Sequence, residues 1–158
     1  MAYANKFGHL LLTTGNKSET AVGYCTLYGD MCGGLAVIAD LWKTEVSALA
    51  RWLNRNGERI PQRTIDKPPS AELRPDQKDT DTLPPYEVLD PILKLLVEDE
   101  MGVAAVARSI GADPDLVRSL AHMVQRSEFK RFQYAPTLRV SLRCWVGRRV
   151  PVAHRFEE

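Results

Sequence analysis

The residues best suited to chemistry fall in one short polar stretch, TTGNKSE, at positions 13–19. Glu19 is a hard oxygen donor of the kind Mg²⁺ prefers, and Thr14 could offer a hydroxyl or backbone contact to a nucleotide. Directly after a strand, the stretch would stand where open α/β sheets collect ligands, outside the strand's carboxyl end. A plainer role competes with this one. Asn16 and Ser18 would cap the next helix, and Glu19 would complement its N-terminal dipole; the residues by themselves favour the cap. Lys43, just beyond the apolar run LAVIA (35–39), could reach a phosphate as a point charge or simply stand exposed at a helix start.

Other candidates are weaker. GYCTLYGDMCGG (23–34) holds four glycines but matches neither GxGxxG nor GxxxxGK[ST]. Tyr24 and Tyr28 could stack on a base, though such aromatics are more often half-buried packing. Cys25, Cys32 and Cys144 are odd in number, lack CxxC spacing and have no adjacent activating partner. Neither a disulfide framework, a zinc cage nor a thiol enzyme is suggested. His9, His122 and His154 show no metal spacing. Near the C-terminus Lys130, Arg131, Arg139, Arg143, Arg148, Arg149 and Arg155 mix with Phe129, Phe132, Tyr134 and Trp145. That pattern has the look of a single-strand RNA patch, but the 21 Lys and Arg are balanced by 20 Asp and Glu, which excludes an overall basic coat for nucleic acid.

Positioning such groups takes elements. FGHLLLTT (7–14) and LAVIA (35–39) read as buried strands, the first ending at Gly15-Asn16. The stretch 17–27 is loosely helical, and Asp40 is placed to cap the segment after LAVIA. TEVSALARWLN (44–54) is the clearest amphipathic helix, with Val46, Leu49, Ala50 and Leu53 on its apolar stripe and Gly57 as a stop. Six of the ten prolines fall between positions 60 and 85 among interleaved charges, so that stretch is either a solvated linker or an active-site cover. After Tyr86 the pattern turns helical: an apolar stripe that Pro91 should kink or restart, then MGVAAVARSIG (101–111), then a helix capped by Asp113-Pro114 with Leu116, Val117, Leu120 and Val124 inward. Two βα units followed by helices define an α/β class. Two parallel strands need neighbours and covered faces, so the chain reads as the later half of a larger α/β domain. No stretch approaches the ~20 apolar residues of a membrane span, and the 158 residues suit one soluble, cytoplasmic unit.

The string NKFGHLLLTTGNKSETAVGYCTLYGDMCGGLAVIADLWKTEVSALARWLN resembles NAD⁺ synthetases of the glutamine-dependent bacterial type, and IPQRTIDKPPSAELRPDQKDTDTLPPYEVLD and SEFKRFQYAP extend the likeness over nearly the whole chain. The resemblance implies a partial Rossmann-like ATP-pyrophosphatase fold, of the adenine nucleotide alpha hydrolase type, with a truncated parallel sheet followed by helices. It implies a ligase in which ATP and Mg²⁺ adenylylate deamido-NAD⁺ and ammonia, drawn from glutamine, displaces AMP to give NAD⁺. On that basis Thr14, Lys43 and Ser70 are ATP contacts, and Glu19 is the Mg²⁺ ligand beside deamido-NAD⁺. Tyr24, Cys25, Thr26, Leu27 and Lys130 line the deamido-NAD⁺ pocket, and residues 60–85 form the cover loop. The intact enzyme is expected to be a homodimer or larger homo-oligomer, without nucleic-acid or membrane partners.

Departures from the family pattern shape a second expectation. The SGGxDS pyrophosphate loop is not in the sequence, whose one Gly-Gly pair is Gly33-Gly34, and there is no amidase domain. Trp42 stands where a proline is usual, Pro91 enters a helix normally free of it, and Leu27 replaces a lysine of the ammonia-dependent relatives. The chain alone is therefore expected to be inactive; the alternative is a non-catalytic split subunit, dimerisation module or relic.

Overall fold

Two short strands lie in parallel, β1 (Leu12–Thr13) against β2 (Leu35–Ala36), with Leu12 opposite Leu35 and Thr13 opposite Ala36. A parallel bridge from Ala36 to Thr137 extends the pairing by one residue. The computed structural model describes residues 1–70, 75–145 and 150–153. Helices α1 (Ala2–Phe7), α2 (Lys17–Val22), α3 (Lys43–Leu53) and α4 (Gln62–Asp66) alternate with or follow the strands. Four more, α5 (Tyr86–Val97), α6 (Val103–Ile110), α7 (Pro114–Arg126) and α8 (Glu128–Arg131), complete the order. The β1–α2–β2–α3 order is the pair of βα units expected.

The strands are shorter and less buried than their apolar runs suggest. Residues 2–7 are helical, not strand, and Leu10 and Leu12 are 66% and 50% exposed. Thr13 and Ala36 face inward while Leu12 and Val37 do not. One face of a parallel sheet is thus open among the described residues, which is why a run built for burial on both faces is only half buried here. After Ala36 the chain turns rather than continuing through Ala39.

The core lies among α2, α5, α6 and α7, where Leu89, Ile92, Leu93, Val106, Val117 and Leu120 are essentially inaccessible. Gly111 ends α6 in the left-handed conformation, and Asp113 caps α7 ahead of Pro114, as their sequence signals imply. Pro91 does not restart α5. The helix begins after Pro85 and runs uninterrupted, with Pro91 exposed and only the bond its N–H would have made to Glu87 forfeited. The stripe of α3 is a correction. None of its residues is fully buried, and Leu49 is exposed.

Asp40 does not cap α3; Trp42 occupies that position. Instead Asp40 joins a cluster around the fully buried Lys17. The Lys17 Nζ lies 3.0 Å from Asp40 Oδ1 and donates to Glu98 Oε1 at 2.6 Å, Ser141 Oγ at 2.8 Å and the Arg143 carbonyl at 2.7 Å. Trp42 supplies an aromatic wall, its ring centroid 5.0 Å from the ammonium, and its indole N–H donates to Glu98 at 2.9 Å. Burial disfavours the ionised form of Asp40, but the N–H groups of Ser141 and Val140 and the Lys17 ammonium outweigh it and hold the carboxyl below the usual range. The residue found in place of the expected proline is thus core, 1% exposed.

Removing one member of a buried charge cluster strands the others. Lys17→Met is expected to lower unfolding free energy by about 3–5 kcal/mol, measured by urea denaturation at pH 7.

Candidate functional site

The polar stretch after β1 builds a local frame before it builds a site. Asn16 Oδ1 accepts the Glu19 N–H at 3.0 Å while Glu19 Oε2 accepts the Asn16 N–H at 3.0 Å, a reciprocal capping box that starts α2. The capping role read from the sequence is therefore real for Asn16. Ser18 does something different. Its hydroxyl donates to Asp90 at 2.6 Å and accepts the Lys43 N–H at 2.9 Å, while Asp90 Oδ2 accepts the N–H and hydroxyl of Thr44. Ser18 and Asp90 thus satisfy orphan donors at the start of α3 and lock α2, α3 and α5 together.

At the carboxyl end of β1 a cleft of about 590 Å³ opens, lined by Thr14, Gly15, Glu19, residues 23–26, Ser70, Gln77, Asp79 and Lys130 among others. Three distant parts of the chain meet there. Gly23 ends α2 with φ +71°, where a side chain would also run into Ser127. The turn it begins is pinned from the far end of the chain: Lys130 Nζ donates to the carbonyls of Gly23 at 2.6 Å and Cys25 at 2.7 Å. Gln77 donates to the Tyr24 hydroxyl at 3.2 Å, tying the Pro-rich segment to the same turn.

Of the residues singled out from sequence, Thr14, Glu19, Tyr24, Cys25, Thr26, Ser70 and Lys130 share this cleft. Leu27 is half-buried and does not line it. Lys43 lines a neighbouring cleft of about 610 Å³ with Thr44, Lys67, Pro69, Thr80 and Tyr86. Its charge still reaches Glu19. Burial pushes the Glu19 carboxyl up, and Asp79 adds to the push, while the Asn16 hydrogen bond and the Lys43 ammonium oppose it. Burial also pushes the Cys25 thiol up to about 11, leaving it protonated at neutral pH and no nucleophile.

Sequence reasoning missed Gln77 and Asp79. Both sit in the segment 60–85, which is neither a structureless linker nor wholly a loop: it contains α4 and a 3₁₀ turn, Asp79–Asp81. Asp79 is 3% exposed. Its Oδ2 accepts the Tyr86 hydroxyl at 2.7 Å, which with burial pushes that phenol far above its ordinary value; its Oδ1 is buried without a donor. Positions 71–74, including Glu72 and Arg74, lie outside the described residues, as do Arg148, Arg149, His154 and Arg155.

Among the described residues the basic C-terminal positions do not share one surface. Arg131 is buried, donating to the carbonyls of Thr20, Ala21 and Val124 and to Glu128, with Trp145 packed over its guanidinium. Arg143 pairs with Glu100. Cations consumed by internal carbonyls and carboxylates do not form a phosphate-binding strip.

A parallel βα pair with a polar cleft at the strand's carboxyl end is the ligand-binding layout of nucleotide-handling α/β domains. No helix among the described residues is long and apolar enough to cross a membrane. The chain belongs to the NAD synthase family, whose model matches residues 1–134. It is 57% identical over 157 residues to a glutamine-dependent NAD(+) synthetase of Synechocystis sp., covering 99% of this chain and 28% of that protein. A crystal structure of a glutamine-dependent NAD(+) synthetase from Cytophaga hutchinsonii shares the fold at a TM-score of 0.74 and 23% identity, over 97% of this chain and 26% of its own. The NH3-dependent NAD synthetase of Campylobacter jejuni matches at a TM-score of 0.59 and 29% identity, over 82% of this chain and 45% of its own. The chain thus spans less than a third of the length of the glutamine-dependent relatives and under half of the ammonia-dependent one.

Because the Glu19 carboxyl is raised, it disfavours folding once ionised and its cost disappears in acid. Glu19→Gln is expected to raise Tm at pH 7 and to lose that advantage as pH falls below the ordinary glutamate range. Removing the opposing charge with Lys43→Met should move the Glu19 carboxyl midpoint further up, read by carbon-13 NMR titration.

Proposed function

We propose that the chain carries one wall of an NAD⁺ synthetase active site and serves NAD⁺ biosynthesis in the cytoplasm. The observation that supports this most is the convergence of Thr14, Glu19, Tyr24, Cys25, Thr26, Ser70 and Lys130 on one cleft. In the reaction, a carboxylate oxygen of deamido-NAD⁺ attacks the α-phosphorus of ATP, pyrophosphate leaves, and ammonia, supplied from glutamine, then displaces AMP from the acyl-adenylate. Thr14 and Ser70 contact ATP, with Lys43 reaching the phosphates from the adjoining cleft. Tyr24, Cys25, Thr26 and Lys130 form the deamido-NAD⁺ side, with Leu27 next to them in sequence. Lys130 acts there chiefly by fixing the carbonyls of Gly23 and Cys25.

Mg²⁺ suits a carboxylate oxygen, and Glu19 in this cleft would hold it. When bound, it offsets charge gathering on the departing pyrophosphate. The segment 60–85 covers the site and shields the acyl-adenylate from water. Gln77, bonded to Tyr24, supports such a closed arrangement. The SGGxDS loop, to which the family resemblance assigns the pyrophosphate grip, does not occur in the sequence.

A second reading is assembly: the exposed apolar positions Leu10, Leu12 and Val37 on and beside the sheet suit a split subunit completed by a partner chain, or a homo-oligomer.

Two measurements test this. The purified chain, given deamido-NAD⁺, ATP, Mg²⁺ and ammonia, is expected to form no NAD⁺; steady turnover would refute the missing-grip argument. It is expected to bind ATP weakly and saturably by isothermal titration calorimetry, with Lys43→Met weakening binding about fivefold to tenfold, the ~1–1.4 kcal/mol of one solvated charge contact. Binding unaffected by that change would count against the nucleotide site.

A further inference from the structure

Asp79 has no role in the proposed reaction, yet it is the most conspicuous unexplained group in the molecule. It lines the cleft that Glu19 lines, it is 3% exposed, and one of its two carboxylate oxygens has no hydrogen-bond donor. Leaving a buried acceptor unsatisfied forfeits its solvation with nothing in return, and native folds rarely tolerate it without an ion, water or chemical task at that atom. The other oxygen is committed: Tyr86 donates to it at 2.7 Å and so fixes the orientation of the carboxylate from α5.

The surroundings narrow what could satisfy the free oxygen. Glu19 lines the same cleft, so two acidic side chains face one space. Lys130 also lines it, but its ammonium donates to the carbonyls of Gly23 and Cys25, and Lys43 stands in the adjoining cleft. Glu19 Oε2 is held by the Asn16 N–H, which orients that carboxylate from α2 as Tyr86 orients the other from α5. Two oriented carboxylates with an orphan oxygen are a seat for a cation, not for an anion or an apolar group. Among the described residues no cluster of three or more His, Cys, Asp or Glu could hold a metal, so a full protein cage of the Zn²⁺ or Ca²⁺ kind is not available. Mg²⁺ fits that shortfall. It is commonly held by one or two carboxylates and completes its shell with water and substrate phosphate.

We propose that Asp79 is a second carboxylate ligand, beside Glu19, for the divalent cation of this cleft. The inference rests on the functional reading for the role of Glu19 and extends it to a residue of the cover segment. It makes that segment part of the metal site as well as a shield. Such a cation would draw one ligand from α2 and one from the 3₁₀ turn Asp79–Asp81.

The test uses the full 158-residue chain and Mn²⁺ as the probe, followed by electron paramagnetic resonance. Wild type should bind saturably at millimolar Mn²⁺, and Asp79→Asn and Glu19→Gln should each weaken binding at least tenfold. Asparagine keeps an acceptor for Tyr86, and far-UV circular dichroism checks that the variant folds. Paramagnetic broadening of amide signals in the unmodified chain gives an answer independent of any variant: residues around 19 and around 79 should fade first and together. The proposal is overturned if Asp79→Asn binds Mn²⁺ like wild type, if broadening reaches Glu19 but spares Asp79, if folded wild type binds no Mn²⁺, or if ammonium instead shows the Asp79 dependence. ATP titrations run beside these separate the two ideas. ATP affinity with Asp79-independent Mn²⁺ binding defeats this proposal alone, whereas Asp79-dependent Mn²⁺ binding without ATP affinity defeats the functional reading alone.

Discussion

The fold depends on one buried ammonium. Lys17 is completely inaccessible, and an unpaired cation there would be untenable. Its partners come from four places: Asp40 after β2, Trp42 before α3, Glu98 at the end of α5, and residues 141–143. Each partner is itself oriented, Asp40 by the N–H groups of Val140 and Ser141 at 2.8 and 2.7 Å, and Glu98 by the Trp42 indole. A buried ion pair is not in itself a source of stability. Its effect here is to tie four segments to one point. Glu19 lies half a turn further along α2, so its placement is inherited from that arrangement.

A second layer of polar bonds carries the constraint from helix to helix. Asp90 and Ser18 satisfy the start of α3, and Arg131 satisfies carbonyls at the ends of both α2 and α7. These are groups that helix termini always leave over. They are met in part by local caps, Asn16 with Glu19 and Glu45 on the Trp42 N–H, and in part by side chains from other elements, which couples the helix ends to one another. Lys130, one residue before Arg131, applies the same economy to the turn after α2.

Much of this was legible in the sequence, and the limits have physical reasons. The parallel βα pair, the Gly111 stop, the Asp113-Pro114 start and most of the cleft residues follow from local patterns or from a motif string. Strand length did not, because apolar runs report what a segment could bury, and Leu10, Leu12 and Val37 have nothing to bury against among the described residues. Asp40 reads as a cap because nothing local reveals a partner a hundred residues away at 140–141. Asp79 was lost among the charges of a Pro-rich stretch, where composition speaks for solvent exposure, and only tertiary packing shows it to be buried. Lys17 was hidden for the same reason: lysine is almost never inside.

The bonds from Lys17 to residues 141 and 143 also bear on how the chain comes off a ribosome. Synthesis is vectorial and elongates at roughly 5–20 residues per second. Asp40 and Glu98 emerge well before Ser141 and Arg143, so for several seconds the nascent chain holds a lysine with acidic neighbours but without the oxygen donors that complete its enclosure. The enclosure of Lys17 is therefore completed only after residues 141–143 have emerged, a long-range step that follows the synthesis of both strands.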